Sequence, residues 1–502
     1  MTERVSCQVL VVGLGPVGAA LAALLAEAGV RVLAIDKSTE VYPLPRAAHF
    51  DHEVMRIFQQ LGIADRLDPH TRPVPGYEFR TAQGEVLLRL ASGGDRLAPS
   101  GWASGYMFNQ PGLEGLLRER LVGSPRVDVR LGAEFKALRT QPEGVEATLG
   151  TPQGELLVEA DYVVGCDGAW SPVREALGIA LTDLQFDEPW LVIDALPRPG
   201  CKLPEINLQI CDPARPTTCV LMGPGRHRWE FMMLPGETPE QVLDEAFIRA
   251  LLEPWDVDVE IERKAVYRFH GLVAERWREG RVLIAGDAAH QTPPFAGQGM
   301  CAGIRDAANL AWKLADVLQG RAAPALLDTY QVEREPNVRA YIDLAIGMGR
   351  VVCTLDPVMA KARDEGMLAA RAAGVEAVPP AAPPPLSGPA ILEGAPGAGQ
   401  MFPQPTRRAG DAIARLDDVL GAGAWLIGRT LAGAPSGVSA VALSDPRLAG
   451  FREALDSWLT AHDAQAVLVR PDRYVFGAGR PGHLLEAWAK ALGVPAPATA
   501  SA

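Results

Sequence analysis

Cysteine is scarce in this chain, and none of its thiols are spaced as a shared site requires. The seven cysteines lie at positions 7, 166, 201, 211, 219, 301 and 353 of 502 residues, and no C-x-x-C pair occurs. An odd, scattered set argues against a disulfide framework and against a structural zinc site. It favours buried thiols in a reducing compartment, so we expect a cytoplasmic protein that binds no metal ion.

The chain also lacks an uninterrupted apolar run of membrane-spanning length. The nearest candidate, residues 9–26, carries no charge, but three glycines and a proline interrupt it and Glu27 closes it. A membrane helix or a signal peptide does not explain these breakers, whereas a strand, a glycine turn and a helix do. We therefore expect no membrane association.

Positive charge is in deficit. Lysine and arginine total 48 against 61 aspartates and glutamates, so the net charge is −13 and the pI is near 5.2. This balance argues against nucleic acid as a partner. The length predicts two or three domains, and a hydrophobic content of 48% is sufficient for large cores.

A glycine-rich turn near the start is the first feature with a clear physical role. Gly13, Gly15 and Gly18 form G-x-G-x-x-G between an apolar strand and a helix predicted at residues 16–27. Gly13 permits a tight turn, Gly15 lets a pyrophosphate approach the backbone, and Gly18 lets the helix pack on the strand. A second strand ends at Asp36, 18 residues after the last glycine, where a ribose-hydroxyl acceptor belongs. The alternative is a glycine turn in an unrelated α/β domain.

Two later strands also end in a glycine and an aspartate. Residues 162–168 read Tyr-Val-Val-Gly-Cys-Asp-Gly and contain Asp167, while residues 281–287 read Arg-Val-Leu-Ile-Ala-Gly-Asp and end in Gly286 and Asp287. Alone, the first pair is an ordinary turn. The second pair and the glycine turn about 270 residues upstream together indicate the two halves of one FAD site.

The loop that follows has the composition of a ring-binding segment. Residues 292–301 read Thr-Pro-Pro-Phe-Ala-Gly-Gln-Gly-Met-Cys. Two prolines, the second of them Pro294, stiffen the loop, and Gly297 and Gly299 leave room for a flat ring. A helix predicted to start at Met300 directs backbone N–H groups toward the N1/O2 edge of a reduced flavin.

Hydrophobic patterning divides the chain into four parts. Residues 186–269 alternate apolar and polar positions, which predicts a sheet with one covered face. The predicted parts are a discontinuous FAD-binding domain (1–75, 106–185 and 270–375), a substrate-binding β-sheet domain (76–105 and 186–269), a Pro/Gly-rich linker (376–405) and an α/β module (406–495).

The three fingerprints together resemble those of single-component, FAD-dependent aromatic hydroxylases, a family that includes para-hydroxybenzoate and phenol hydroxylases. Within that family, four runs are most similar to 3-(3-hydroxyphenyl)propionate hydroxylases. These runs are residues 292–301, 305–313 (Arg-Asp-Ala-Ala-Asn-Leu-Ala-Trp-Lys), 402–405 (Phe-Pro-Gln-Pro) and 416–421 (Leu-Asp-Asp-Val-Leu-Gly). The resemblance covers nearly the whole chain.

The resemblance implies an α/β fold and a reaction. The fold has a Rossmann-like FAD-binding domain of the para-hydroxybenzoate hydroxylase type, an inserted β-sheet substrate domain and a C-terminal thioredoxin-like α/β module. No cysteine follows Cys353, so this module cannot perform disulfide exchange. In the implied reaction NADH or NADPH reduces non-covalent FAD, and O₂ forms a flavin C4a-hydroperoxide. A phenolic acid similar to 3-(3-hydroxyphenyl)propanoate then becomes a catechol. Dimers are common among such enzymes, so a homodimer is also expected.

The resemblance also implies a role for individual residues. Gly13, Gly15 and Gly18 match the FAD pyrophosphate turn, Asp36 matches the ribose acceptor (more often Glu in the family), and Arg46 matches a residue that contacts the pyrophosphate. Gln110 matches a glutamine near the flavin chain, and Asp167 matches the acid of the second fingerprint. Asp287, beside Gly286, matches the ribitol acceptor of the third fingerprint, and the ring loop is matched by Pro294, Gly297, Gly299 and Met300.

The catalytic base is assigned to the start of a helix. Asp51 matches an aspartate that lies near the substrate hydroxyl in phenol hydroxylases, and a partly buried Asp with a raised pKa can accept a phenol proton. The alternative is that Asp51 only caps the helix. His49 or His52 can share the base role. Candidate partners for a substrate carboxylate are Arg226, Arg228 and Arg268.

Other readings of the fingerprints remain. One is a protein of the same fold that acts on a different phenol or on a polyketide-type substrate. Another is a flavin oxidoreductase that does not hydroxylate, although the W-x-W-x-I-P run of halogenases is absent. The third is a non-catalytic flavoprotein, which the intact ring loop argues against.

Overall fold

The computed structural model describes residues 3–44, 46–91, 97–375, 384–410 and 412–495. Its α-helices are α1 (Pro16–Glu27), α2 (His52–Gln60), α3 (Ala64–Leu67), α4 (Gln110–Val122), α5 (Pro172–Ala176), α6 (Pro239–Val242), α7 (Glu245–Leu252), α8 (Gly299–Leu318), α9 (Thr329–Val352), α10 (Pro357–Ala372), α11 (Leu416–Leu420), α12 (Arg452–Ala461) and α13 (Pro481–Leu492). Short 3₁₀ turns span Asp68–His70, Glu253–Trp255, Gly286–Ala288, Pro294–Ala296, Pro324–Asp328 and Pro446–Leu448.

Within the described residues, the strands fall into five sheets. They are β1 (Glu3–Val12), β2 (Val32–Asp36), β3 (His49–Asp51), β4 (Arg72–Pro73), β5 (Gly76–Arg80), β6 (Val86–Ala91), β7 (Gly105–Met107), β8 (Val127–Leu131), β9 (Glu134–Thr140), β10 (Val145–Thr151), β11 (Gly154–Gly165), β12 (Leu181–Pro197), β13 (Asn207–Ile210), β14 (Thr217–Leu221), β15 (His227–Met232), β16 (Val259–Ala274), β17 (Arg278–Glu279), β18 (Val282–Ile284), β19 (His290–Gln291), β20 (Thr406–Ala409), β21 (Ala412–Arg415), β22 (Ala424–Gly428), β23 (Val438–Ala442), β24 (Ala466–Val469) and β25 (Val475–Gly479).

The first sheet carries the nucleotide-binding architecture. Its order is β17-β18-β11-β1-β2-β8, and the pairings from β18 to β8 are all parallel, while β9 and β10 extend it antiparallel from β11. Helices α1, α4 and α8 pack beside this sheet. The carboxyl end of β1 is therefore buried on both faces, which explains the unbroken apolar run of that strand. Helix α1 has the predicted bounds. The predicted Rossmann-like α/β architecture of the first domain is confirmed.

The second sheet combines strands from two separate chain segments. Its order is β19-β16-β12-β15-β14-β13-β5-β6, and only β13 and β5 pair in parallel. Side chains alternate along β12, so Leu191 and Ile193 face an outer cluster under α6 and α7, while Trp190 belongs to the core of the first sheet. The face of the second sheet that carries Trp190 is called the inner face below. The predicted domain boundaries stay predictions.

The C-terminal module packs directly on the FAD-binding part. Its sheet has the order β23-β22-β24-β25, with β22 and β23 parallel and the other pairs antiparallel. Trp488 of α13 stacks on Trp312 of α8, with ring centroids 5.7 Å apart. That the module is thioredoxin-like stays a prediction.

The segment predicted as a linker is only partly described. Residues 376–383 lie outside the described residues. The remainder packs against the C-terminal module, because Leu386 and Phe402 are buried and the Gly399 N–H donates to the Val475 carbonyl over 2.9 Å.

Within the described residues, every helix falls short of the length or the apolar content that crossing a bilayer requires.

Candidate active site

Most of the predicted cofactor residues line one cavity of about 480 Å³. It lies at the carboxyl ends of β1 and β2, beside the start of α1, where ligands bind in open α/β sheets. The predicted residues that line it are Gly13, Gly15, Asp36, Arg46, Gln110, Asp167, Asp287, Gly299 and Met300. Four others, Gly18, Gly286, Pro294 and Gly297, are not among the lining residues.

The three glycines of the turn have different surroundings. Gly13 has φ +96°, and a Cβ there would lie 2.5 Å from the Cys166 carbonyl oxygen. A Cβ on Gly18 would lie 1.9 Å from the Gly13 oxygen, so no larger residue fits between helix and strand. A Cβ on Gly15 would meet no protein atom within 4 Å, although Gly15 lines the cavity. Gly15 therefore leaves an opening where another group can approach the backbone.

Asp36 closes the turn from the next strand. Its Oδ2 accepts a hydrogen bond from Leu14 N over 2.8 Å, and its Oδ1 accepts one from Ser38 N over 2.8 Å. Arg118, which sequence reasoning missed, lies 3.9 Å from Asp36 Oδ2 and lines the cavity. Within the described residues, its buried Nε has no hydrogen-bond partner.

Gln110 and Arg46 meet on a glutamate. Gln110 accepts a hydrogen bond from Ala47 N over 2.6 Å and donates one to Glu114 Oε1 over 2.6 Å. Arg46 approaches the same oxygen at 3.4 Å and is half-exposed toward the cavity. Helix α4 thus presents Gln110, Glu114 and Arg118, four residues apart, on one face.

The two aspartates of the later fingerprints differ. Asp167 accepts hydrogen bonds from Ser171 Oγ at 2.5 Å and Val173 N at 3.0 Å, so it holds the start of α5, and burial raises its pKa. Asp287 projects into the cavity, and its carboxylate accepts no hydrogen bond from the part of the chain that the structure describes. Behind it, Asp306 Oδ2 lies 2.6 Å from His290 Nε2 and accepts from Gly286 N over 3.2 Å.

The predicted ring loop ends at the N-terminus of α8. Pro294 is exposed and starts a 3₁₀ turn, and Gly297 follows it with φ +62°. His49 Nδ1 lies 3.2 Å from the Gly297 carbonyl oxygen, and a Cβ on Gly297 would lie 2.8 Å from that nitrogen. Gly299 and Met300 open the helix with their backbone N–H groups at the cavity. Burial lowers the pKa of His49.

Asp51 has the environment of a cap and an ion-pair partner. Its Oδ1 accepts hydrogen bonds from Glu53 N over 3.2 Å and Val54 N over 3.1 Å, and its Oδ2 pairs with Arg305. Burial acts to raise its pKa, but the Arg305 guanidinium and the neighbouring histidines lower it well below its usual range. The helix itself starts at His52, after a strand that contains His49. The geometry favours the capping alternative, and the base role of Asp51 stays a prediction.

The sequence left the partner of a substrate carboxylate unplaced, and the three arginines of the predicted substrate-binding domain named above are all ion-paired. Arg226 lies 2.9 Å from Glu262, and Arg268 lies 3.0 Å from Asp187. Arg228 is on the inner face and donates to both oxygens of the fully buried Asp194 at 2.7 and 3.1 Å.

Two more charged residues, Arg263 and Glu230, lie in the same buried cluster as Arg228 and Asp194. The sequence indicated neither of them. Arg263 lies 3.2 Å from Asp194, and Glu230 lies 3.7 Å from Arg228. Burial raises the pKa of Glu230 to about 7, although Arg228 lowers it. Two guanidinium groups therefore face two carboxyl groups on the inner face.

Aromatic side chains join the inner face to the ring loop. Phe295 of the loop packs on Phe186, Trp190 and Phe269, with ring centroids 5.7–5.9 Å apart. Trp190 and Phe269 stack on one another at 5.8 Å. Phe186, Trp190 and Phe295 are buried, so this aromatic cluster packs the ring loop against the inner face.

The cavity fits a dinucleotide. The opening at Gly15 and the start of α1, which has no side-chain cap, offer backbone N–H groups to phosphates. Arg118 contributes a buried donor without a partner in the described chain, and the Asp287 carboxylate is available as an acceptor for a hydroxyl. These groups match the charges and hydroxyls of FAD.

Comparison with known proteins gives the same result over almost the entire chain. Residues 6–345 match a family described as the FAD binding domain, and residues 441–493 match the HcaD C-terminal domain. A probable NADH-specific resorcinol 4-hydroxylase of Rhodococcus jostii is 39% identical over 97% of this chain and 95% of its own length. A 3-(3-hydroxyphenyl)propionate/3-hydroxycinnamic acid hydroxylase of Mycolicibacterium gilvum is 35% identical over 95% of this chain and 90% of its own length.

Solved structures are similar over the same extent. The flavin-dependent monooxygenase PieE, in complex with FAD and substrate, has a TM-score of 0.81 and 25% identity, with 98% of this chain and 100% of that chain covered. Aklavinone-11 hydroxylase, in a ternary complex with FAD and aklavinone, has a TM-score of 0.77 and 26% identity with the same coverage.

Proposed function

Because this chain belongs to the family of FAD-dependent aromatic hydroxylases, we propose that its substrate is a phenol with a second substituent meta to the hydroxyl. The product is a catechol. Resorcinol and 3-(3-hydroxyphenyl)propionate, which name the two relatives, share this substitution pattern. Reduced by NADH or NADPH, bound FAD supplies the transfer of one oxygen atom from O₂ to the ring, and the other oxygen leaves as water.

Within this class, the ion pairs of the inner face favour an uncharged substituent, as in resorcinol. Arg228 and Arg263 are both held by Asp194, so a substrate carboxylate would have to compete with a fully buried aspartate. A meta-hydroxyl only needs a hydrogen-bond partner. A propanoate side chain is the second candidate, because relatives of 34–35% identity are hydroxylases of 3-(3-hydroxyphenyl)propionate.

We propose that His49 is the proton acceptor for the phenol. Its Nδ1 faces the Gly297 carbonyl at the ring loop, and a proton donated there leaves Nε2 as an acceptor. The lowered pKa keeps the imidazole neutral at pH 7. Asp51 then fixes the start of α2 beside it.

A substrate panel tests the proposal. Purified enzyme is supplied with resorcinol, 3-(3-hydroxyphenyl)propanoate, phenol and para-hydroxybenzoate, each with NADH and with NADPH. We expect the two meta-substituted phenols to accelerate reductant oxidation and to gain one ¹⁸O atom from ¹⁸O₂, with resorcinol preferred. Faster turnover of unsubstituted phenol or of para-hydroxybenzoate would contradict the meta-substituent requirement.

We also propose that the enzyme works in the cytoplasm as a homodimer. All seven cysteines are free thiols, which supports a reducing compartment. Sedimentation equilibrium of the FAD-loaded protein tests the dimer, and a monomer at micromolar concentration would contradict it.

A further inference from the structure

A series of polar contacts, partly or fully buried, runs from the C-terminal module to the ring loop. The hydroxyl of Tyr474, in the module, donates to Glu53 Oε1. The other Glu53 oxygen accepts from Arg305 Nε over 2.7 Å. Arg305 in turn donates from Nη1 to Gln298 Oε1 over 3.2 Å. Gln298 stands between the two glycines of the ring loop and precedes the first residue of α8.

The donors and acceptors of this series of contacts explain why a hydroxyl group is needed at the end that lies in the module. Arg305 is buried and faces two carboxylates, because Nη2 also pairs with Asp51. Arg305 donates to one oxygen of Asp51 and to one oxygen of Glu53, so the remaining Glu53 oxygen needs a further donor. The Tyr474 hydroxyl provides it, and the Tyr341 ring lies 5.2 Å from the Arg305 guanidinium.

We propose that Tyr474 is a positioning residue through which the C-terminal module holds the ring loop. Without the Tyr474 hydroxyl, Glu53 Oε1 loses its protein donor, and the partly exposed Glu53 side chain shifts toward water and other donors. Arg305 follows Glu53, and the Gln298 side chain loses its fixed donor. The loop between Gly297 and Gly299, which the glycines already leave free of side-chain restraint, then samples more positions beside the flavin ring.

The test uses full-length, FAD-loaded protein and needs no phenolic substrate. Tyr474→Phe keeps the ring and removes the hydroxyl. We expect a changed visible absorption spectrum of the bound flavin and a substrate-free rate of flavin reduction by NADH that rises roughly tenfold, the order of a lost hydrogen bond to a charged acceptor. The melting temperature should change little. Glu53→Gln should reproduce both changes, and the double variant should add little to either single one.

Asp472→Asn is the matched control. Asp472 is also in the module and accepts hydrogen bonds from Asn309 and Trp312 of α8, each over 3.2 Å, without reaching the ring loop. This variant should lower the melting temperature and leave the flavin spectrum and reduction rate unchanged. Unaltered flavin properties in Tyr474→Phe would overturn the proposal. Equal changes in Asp472→Asn would also overturn it, because they would reflect loosened docking of the module. Neither outcome depends on which phenol is the substrate.

Discussion

At the scale of single residues, substitutions at two glycines of the same turn should have different effects, one on cofactor binding and the other on folding. An alanine at position 15 projects into the cavity, whereas an alanine at position 18 collides with the Gly13 oxygen at 1.9 Å. We expect Gly15→Ala to leave the melting temperature of the apoprotein unchanged and to weaken FAD binding by roughly tenfold or more, about 1.4 kcal/mol. Gly18→Ala should lower the apoprotein melting temperature. Fluorescence titration with FAD and apoprotein melting distinguish the two, and equal stability losses would contradict this division.

If His49 is the base and Asp51 is the helix cap, substitutions of the two residues should lower product formation to different extents. His49→Gln should retain flavin reduction by NADH and lower product formation by roughly 10²–10⁴-fold, the usual contribution of a general base. Asp51→Asn keeps a capping side chain and should reduce product formation far less, since a carboxylate with so low a pKa is a weak acceptor. Stopped-flow reduction and product yield are measured in both variants. A large loss of product confined to Asp51→Asn would restore Asp51 as the base.

The pH dependence of stability has a definite sign at His49. Burial lowers its pKa in the folded protein below the ordinary histidine value of 6.5, so the unfolded chain binds the proton more readily. Its contribution to stability is therefore complete above about pH 6.5 and is lost as the pH falls through the folded pKa. His49→Gln should remove that part of the acid dependence, which urea unfolding at pH 7 and pH 5 measures.

At the scale of elements, one face of α4 adds a cavity-lining residue, Arg118, that the sequence did not indicate. Gln110, Glu114 and Arg118 lie four residues apart and all line the cavity. Arg118→Gln keeps most of the side-chain length and removes the charge. We expect its FAD dissociation constant to rise roughly tenfold, because a charged donor to a phosphate or ribose oxygen is lost. Arg120→Gln, on the same helix but paired with Glu27, is the control and should bind FAD normally.

The elements that the sequence predicted well are those with local signals. The bounds of α1 follow from Pro16 and the glycine turn, and the start of α8 lies one residue before the predicted Met300. Asp167 and Asp287 were predicted because each follows a strand, and both line the cavity. Arg118 and Tyr474 were missed because their partners, Asp36 and Glu53, are distant in sequence. Glu230 was missed because the buried group around it is completed by residues of other strands. Arg228 was selected for its type, and nothing near it in the chain indicates that Asp194, on another strand, already binds it.

At the scale of the whole molecule, buried ion pairs join the C-terminal module to the rest. Asp417 accepts from Arg56 at 2.7 and 2.9 Å and from Arg473 at 3.0 Å. A second group connects α9 to the module, where Glu333 lies 2.8 Å from Arg470. Arg470 and Lys313 hold the pKa of Glu333 at about 2 against the opposing effect of burial. If the module separated, Arg56 and Glu333 on one side and Asp417 and Arg470 on the other would lose these ion-pair partners.

The module is therefore expected to unfold together with the FAD-binding part. Calorimetry of the full-length protein should show one transition, and Asp417→Asn should lower its midpoint by leaving Arg56 and Arg473 without their carboxylate, a loss of about 3–5 kcal/mol for a broken buried pair. Below about pH 4.5 the same transition should move to lower temperature as Glu333 gains a proton, because its contribution is present above the unfolded pKa of 4.5 and disappears toward 2.

Deletion of residues 400–502 should destabilise what remains and reduce its FAD content, since Arg56 would lose Asp417 and the Phe402 carbonyl at once. Two separate transitions, with Asp417→Asn affecting only the smaller one, would instead make the module an independent appendage.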